Sequence, residues 1–225
     1  VLSSIKGKAI VPLVNDRPDW KEILNVWNEK LSTLPGEESH EFIGSKFKGC
    51  TLNDIVSTGI IKFQDRHKSL DVPWFPWNNL PYGHVLCFDA QGRIISLHAR
   101  ALVKDEELSD RPKTRFPKGY SASGLLLADK SGVSFLRGGS TPAVVFTEGL
   151  TSTVAASSFL RRSGRWNWSV IGVTSGSASA VKQIKWPSNI TVYIWTDTDA
   201  TGSKYADRIR EAVPPHINLL RVKPQ

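Results

Sequence analysis

The sequence has no methionine and only two cysteines, Cys50 and Cys87. Those thiols lie far apart, and no Cys-x-x-Cys or His-x-x-x-His spacing stands beside them. A conventional structural zinc site within this chain is therefore excluded. Two buried thiols in a reducing compartment are expected in preference to a disulfide. His40, His67, His84, His98 and His216 are scattered without metal-ligand spacing and read as structural or surface residues. No uninterrupted apolar stretch approaches the length of a membrane span, and Val1 to Asn15 lack the apolar centre of a signal peptide. No membrane partner is expected. Internal repeats and low-complexity segments are also missing. With no Met even at position 1, the chain reads as a processed or excised piece of a longer protein.

What is present is an ordinary globular composition: 225 residues, 40% hydrophobic and 22% charged, enough for one large domain or two small ones. The formal charge is +8 and the pI about 9.6, which points toward a polyanionic partner.

Two textures divide the chain near residue 140. Up to Pro81 it is irregular, with a helix over Lys21 to Leu31 marked by Trp20, Ile23, Leu24, Trp27 and Leu31 at helical spacing. Short helices are expected around Glu41 to Phe47 and Thr51 to Ser57. Val85 to Phe88 and Ile94 to Ala99 read as a hairpin around Gly92. Lys104 to Lys118, charged and Pro-rich, reads as an exposed loop, and Gly124 to Leu127 as a short strand. From Thr141 onward strands and helices alternate. Strands are expected over Ala143 to Thr147, Trp168 to Thr174, Ile190 to Thr196 and Ile217 to Val222. Helices are expected over Thr151 to Arg161, Ala178 to Ile184 and Ser203 to Val213. Such alternation implies a mostly parallel sheet flanked by helices, with sites at the carboxyl ends of its strands. The expected organisation is α/β: a smaller mixed α+β subdomain, 1–140, before a Rossmann-like subdomain, 141–225.

Acidic residues stand at those strand ends. Val144-Val145-Phe146-Thr147 runs into Glu148-Gly149, and Tyr193-Ile194-Trp195-Thr196 runs into Asp197-Thr198-Asp199-Ala200-Thr201-Gly202. An isolated Asp-x-Asp is often a helix N-cap with a solvated neighbour. Three carboxylates at neighbouring strand ends repel one another unless cations are present. Oxygen ligands of this kind suit Mg²⁺ or Mn²⁺.

The pattern resembles the Toprim domain of DnaG-type primases, topoisomerases and some nucleases. Its Glu-Gly and Asp-x-Asp-x-x-Gly signature is complete here, over about Ala143 to Val222. Ser175-Gly176-Ser177 resembles the small-residue turn after the middle strand in primases. Upstream, Gly92-Arg93, Arg100, Pro112-Lys113, Phe116-Pro117-Lys118-Gly119 and Gly124-Leu125 follow the order of a DnaG-type core. Ser152 stands where many of those primases have Asp, and Glu148 to Ala155 is closer in texture to primases of phages and plasmids. The loop between Lys113 and Phe116 is shorter than in bacterial primases. The sequence stops about where primases continue into another acidic motif, so a second metal site is expected to be incomplete.

The resemblance implies synthesis of short RNA primers on a single-stranded DNA template from nucleoside triphosphates. Glu148, Asp197 and Asp199 would be catalytic and metal-binding, with Glu148 either a ligand or a base. Arg93, Arg100, Lys113, Arg115 and Lys118 would contact nucleic acid or nucleotide phosphates. A replicative helicase or helicase domain is the implied protein partner, and the cytoplasm of a bacterium or phage-infected cell the implied location. A Toprim nuclease, or a degenerate primase-like module binding single-stranded DNA or a helicase, is the alternative. Trp74 and Trp77, beside Pro73 and Pro76, are the most loop-like stacking residues, with core packing the default for each Trp.

Overall fold

The structure is a computed structural model and describes residues 17–47, 49–75, 79–174 and 178–222. Trp77 and the Ser175–Ser177 turn lie outside the described residues. The first helix, α1 (Trp20–Asn25), starts where Asp19 accepts from the Lys21 and Glu22 amides at 2.8 and 2.9 Å, and Glu22 answers with a bond to the Asp19 amide. The expected single helix then widens into a π-helical turn over Val26–Lys30. There the Trp27 carbonyl accepts from Lys62 Nζ at 2.7 Å, a tertiary bond that periodicity cannot reveal. A 3₁₀ turn (Glu37–Ser39) leads into α2 (His40–Lys46), and Thr51 with Asp54 caps α3 (Leu52–Ser57).

β1 (Ile61–Gln64) corrects the expectation of irregular chain here; four residues are too few to show a period, and the strand exists by pairing with β2 (Tyr82–Phe88). β3 (Ile94–Ala101) completes the expected hairpin. The stretch read as an open loop instead holds α4 (Asp105–Leu108) and β4 (Thr114–Arg115), a two-residue edge strand on β3. β5 (Leu126–Ala128) and α5 (Lys130–Leu136) follow. Then come β6 (Ala143–Glu148), α6 (Gly149–Arg162), β7 (Ser169–Val173), α7 (Ala178–Lys182), β8 (Thr191–Trp195), α8 (Ala200–Ala212) and β9 (Asn218–Val222), as the alternation predicts.

The nine strands of the described residues form one sheet, in the order β4-β3-β2-β5-β7-β6-β8-β9, with β1 paired to β2. The β7-β6-β8-β9 half is parallel, and β5 runs antiparallel to both β2 and β7. One sheet thus continues through the change of texture near residue 140. Alternate residues serve opposite faces. Phe88, Leu126, Phe146, Ile171 and Ile194 pack with α5, α7 and α8, whereas Val85, Cys87 and Leu127 pack with α2, α3 and α6. A third cluster joins α1 to β3 through Ile23, Trp27, Leu97 and Ala99. Trp74 is buried within it, so this indole is a core residue and not a stacking platform. Both cysteines are free thiols; Cys87 is buried and Cys50 half-buried. Among the described residues no helix is long and apolar enough to cross a membrane.

Candidate active site

The sheet register brings the acidic strand ends together. β6 lies between β7 and β8, with Glu148 opposite Val173 and Thr147 opposite Trp195. Asp197 is therefore the second residue past the end of β8, one strand from Glu148. Each turn is made possible by a glycine. Gly149 has φ +69°, a left-handed conformation costly for other residues. At Gly202, a Cβ would stand 2.1 Å from the Asp197 carbonyl oxygen, so only glycine lets α8 begin this close to β8.

The three carboxylates differ in what occupies them. Asp199 is the N-cap of α8, and its Oδ1 accepts from the Gly202 amide at 2.7 Å, leaving Oδ2 for another partner. Asp197 is exposed. Glu148 occupies the N-cap position of α6 but makes no capping bond, and its Oε2 is buried without a hydrogen-bond partner among the described residues. Burial raises the Glu148 pKa above the usual carboxylate range, and the charges of Asp197 and Asp199 raise it further. A buried, unpartnered carboxylate oxygen facing two further acids calls for a cation or a proton. Mg²⁺ or Mn²⁺ fits this all-oxygen set. The arrangement is an open edge rather than a closed cage: among the described residues no three His, Cys, Asp or Glu side chains form a ready-made metal-binding group.

The basic residues do not share the acidic site: Arg100, Lys113 and Arg115 lie together at the far end of the β2-β3 ribbon. Phe88, Leu126, Val173 and Glu148 form one row across the sheet, so Phe88 lies about 14 Å from Glu148. Arg93, in the turn after Phe88, is on the acidic edge but three strands away, and its guanidinium is held by Asp89 at 2.6 Å. Arg100 pairs with Gly83, and Arg115 with Ala99, at the far end of the β2-β3 ribbon. Arg100 is half-buried, lies over the Phe42 ring at 5.8 Å, and has its pKa lowered by burial. Arg115 approaches the Tyr82 hydroxyl, and Lys113 is ion-paired with Asp105 at 2.7 Å. Lys118 is anchored through its backbone, its amide donating to the Trp74 carbonyl at 3.2 Å, and only the later part of its segment reaches the acidic edge. Thr174, just past β7, donates to the Ala122 and Leu125 carbonyls at 2.7 and 3.2 Å, tying these two residues beside the strand that neighbours Glu148.

No protein-family model and no curated protein sequence matches the chain. Solved structures do. The E. coli primase catalytic core matches with TM-score 0.50 and 13% identity over 84% of this chain and 65% of that one. The zinc-binding and RNA polymerase domains of Aquifex aeolicus primase match with TM-score 0.50 and 15% identity over 84% of this chain and 50% of that one. The primase fragment of the bacteriophage T7 primase-helicase protein gives TM-score 0.47 and 15% identity over 76% of this chain and 61% of that one. The fold is that of primase catalytic cores. The chain spans between 50% and 65% of the length of these three structures.

Within this primase-core fold, two groups that the motifs do not name hold the acidic turns. Thr153 Oγ1 donates to the Gly149 carbonyl at 2.6 Å and shares a 2.9 Å bond with Thr147 Oγ1, fixing the turn after Glu148. Gly172 makes room for it, since a Cβ there would fall 2.1 Å from Thr153 Oγ1. Arg221, on β9, donates to the Asp197 carbonyl at 3.2 Å. The position of Arg221 near the end of the next parallel strand was the available signal, although its target is a backbone atom that no sequence pattern marks.

Proposed function

We propose that this chain is the catalytic core of a DnaG-type primase, joining ribonucleotides into short primers on single-stranded DNA. The observation that carries the proposal is the buried, unpartnered Glu148 Oε2 on a shared edge with Asp197 and Asp199, in a fold shared with primase cores. Glu148, Asp197 and the second oxygen of Asp199 would hold Mg²⁺ or Mn²⁺. Bound metal supplies charge neutralisation for the triphosphate and for the pentavalent transition state.

The protein's own groups do the rest. Glu148 would act either as a ligand of that metal or as the base that takes the proton of the attacking 3′-hydroxyl. The N-termini of α6 and α8 open at this edge and favour phosphate oxygens. Lys118 would contact triphosphate or template phosphates, standing four residues before Ala122, whose carbonyl is tied to the end of β7. Arg93, Arg100, Lys113 and Arg115 would carry a more distant, sequence-independent attraction for the DNA backbone. A replicative helicase or helicase domain is the proposed protein partner.

The test is incubation of the chain with single-stranded template, labelled ribonucleotides and Mg²⁺ or Mn²⁺. Primers that vanish in Asp197→Asn and Glu148→Gln support the proposal. Template cleavage without synthesis replaces it with a Toprim nuclease. DNA binding with neither activity replaces it with an inactive module.

A further inference from the structure

Among the described residues β9 lies at one end of the sheet order and pairs only with β8, with Arg221 opposite Ile194. From there one terminal nitrogen of Arg221 reaches two acceptors, the Asp197 carbonyl oxygen and Ser203 Oγ, each at 3.2 Å. The two acceptors lie on opposite sides of the acidic turn. Asp197 is where the chain leaves β8, and Ser203 is in the first turn of α8. One side chain therefore bridges both ends of the loop that carries Asp197 and Asp199.

The inner side of that loop is already fixed. Gly202 packs so closely that its missing Cβ would lie 2.1 Å from the same Asp197 carbonyl, and the Gly202 amide holds Asp199 Oδ1. The Asp197 peptide is thus wedged between α8 and a guanidinium. An exposed arginine usually contributes little to stability. This one instead donates to the backbone of a turn whose two carboxylates both repel Glu148. A fixed positive charge with a rigid fork of donors suits that position better than a lysine would.

We infer that Arg221 is a positioning residue for the acidic turn, holding Asp197 and the unused oxygen of Asp199 in the orientation that receives a divalent cation. It does so without touching the cation. The inference rests on the metal-binding role proposed above for the same turn. Groups that orient metal ligands commonly cost about 10- to 100-fold in affinity when removed.

The experiment is a Mn²⁺ titration of the whole chain followed by electron paramagnetic resonance, with thermal unfolding of each variant alongside. Arg221→Ala is expected to weaken Mn²⁺ binding about 10-fold while unfolding within about 2 °C of the wild type. Arg221→Lys is expected to recover part of that affinity. Ser203→Ala, which removes one of the two acceptors with minimal disturbance, is expected to weaken binding by a smaller factor, about 2- to 3-fold. Wild-type affinity in both Arg221→Ala and Ser203→Ala overturns the inference while leaving the metal site intact. If Arg221→Ala unfolds, Ser203→Ala and Arg221→Lys decide the matter, and unchanged affinity in both overturns it. Wild-type protein that binds no Mn²⁺, or binds it equally well as Asp197→Asn, overturns the metal site itself and this inference with it.

Discussion

The acidic and basic residues that stand out in the sequence meet opposite fates in the fold. Glu148, Asp197 and Asp199 are separated along the chain yet arrive at one edge, because their strands are parallel neighbours. Arg100, Lys113 and Arg115 meet at the far end of an antiparallel ribbon and Arg93 at its other end, each against its own neighbour. The acids are left with an unpartnered buried oxygen at the shared edge, while the one such atom of Arg100, its Nε, lies at the far end of the ribbon. Parallel strands deliver equivalent ends to the same place, whereas an antiparallel ribbon sends residues a few positions apart to opposite ends. Function is therefore expected to concentrate in the first group.

The largest effect tests that contrast directly. Asp197→Asn and Glu148→Gln are expected to lower primer synthesis by about 10³-fold, on the scale of losing a main electrostatic group. Lys113→Ala and Arg93→Ala are expected to cost less than about 3-fold, since each is an exposed, ion-paired side chain. Equal losses in both sets, measured as initial rates of labelled primer formation, would break the comparison.

Next in size is the backbone beneath the acidic edge. Gly202→Ala places a methyl group against the Asp197 carbonyl, and is expected to cost about 2–3 kcal/mol. Calorimetry should record a fall in Tm of about 5–10 °C.

A smaller contrast lies in pH. In the antiparallel half, burial lowers the pKa of His84 to about 3 and of His98 to about 4. His84 Nε2 shares a 3.0 Å bond with Gln64 inside that core. The unfolded chain then binds more protons than the folded one below the ordinary His value of 6.5, so stability falls as pH drops from there toward 4. Glu148 has the opposite sign. Its raised pKa contributes stability below the ordinary carboxylate value, and that contribution is lost as pH rises through the folded value. Thermal melts between pH 7 and pH 4 should show the histidine effect as falling Tm, flattened in His98→Gln.

The smallest expected effect is a gain. Without divalent ions, Glu148→Gln should raise Tm at pH 7 by about 1–2 °C, because it removes a half-buried charge among like charges. The gain should disappear at pH 4. A fall in Tm at pH 7 would mean that ionised Glu148 is satisfied by a contact of its own.

The parallel half was legible because its elements are long and repeat a pattern: α6 runs Gly149–Arg162 where Thr151 to Arg161 was expected, and β7 Ser169–Val173 where Trp168 to Thr174 was. Elements whose reason is tertiary were not legible. β1 and β4 span four and two residues and are defined by partners elsewhere in the chain. α5 went unread because Gly132 interrupts its pattern, although glycine is needed there: a Cβ would lie 2.5 Å from the Val170 carbonyl. At the site, the sequence marked the carboxylates but not Thr153 and Arg221, whose targets are carbonyl oxygens of the turns.

By itself the sequence determined the identity and order of the chemistry-bearing acids, and the strand–turn–helix units that carry them. Apolar runs ending in Glu148 and Asp197, with Gly149 directly after the first and Gly202 five residues after the second, are local facts that need no partner. Only the tertiary structure decided which charges would stand unpaired. Strand order put Glu148 beside Asp197, burial raised the Glu148 pKa, and Asp89, Asp105 and Phe42 engaged the basic residues. Whether a charge is available depends on its neighbours in space, and these were set by sheet topology rather than by position in the chain.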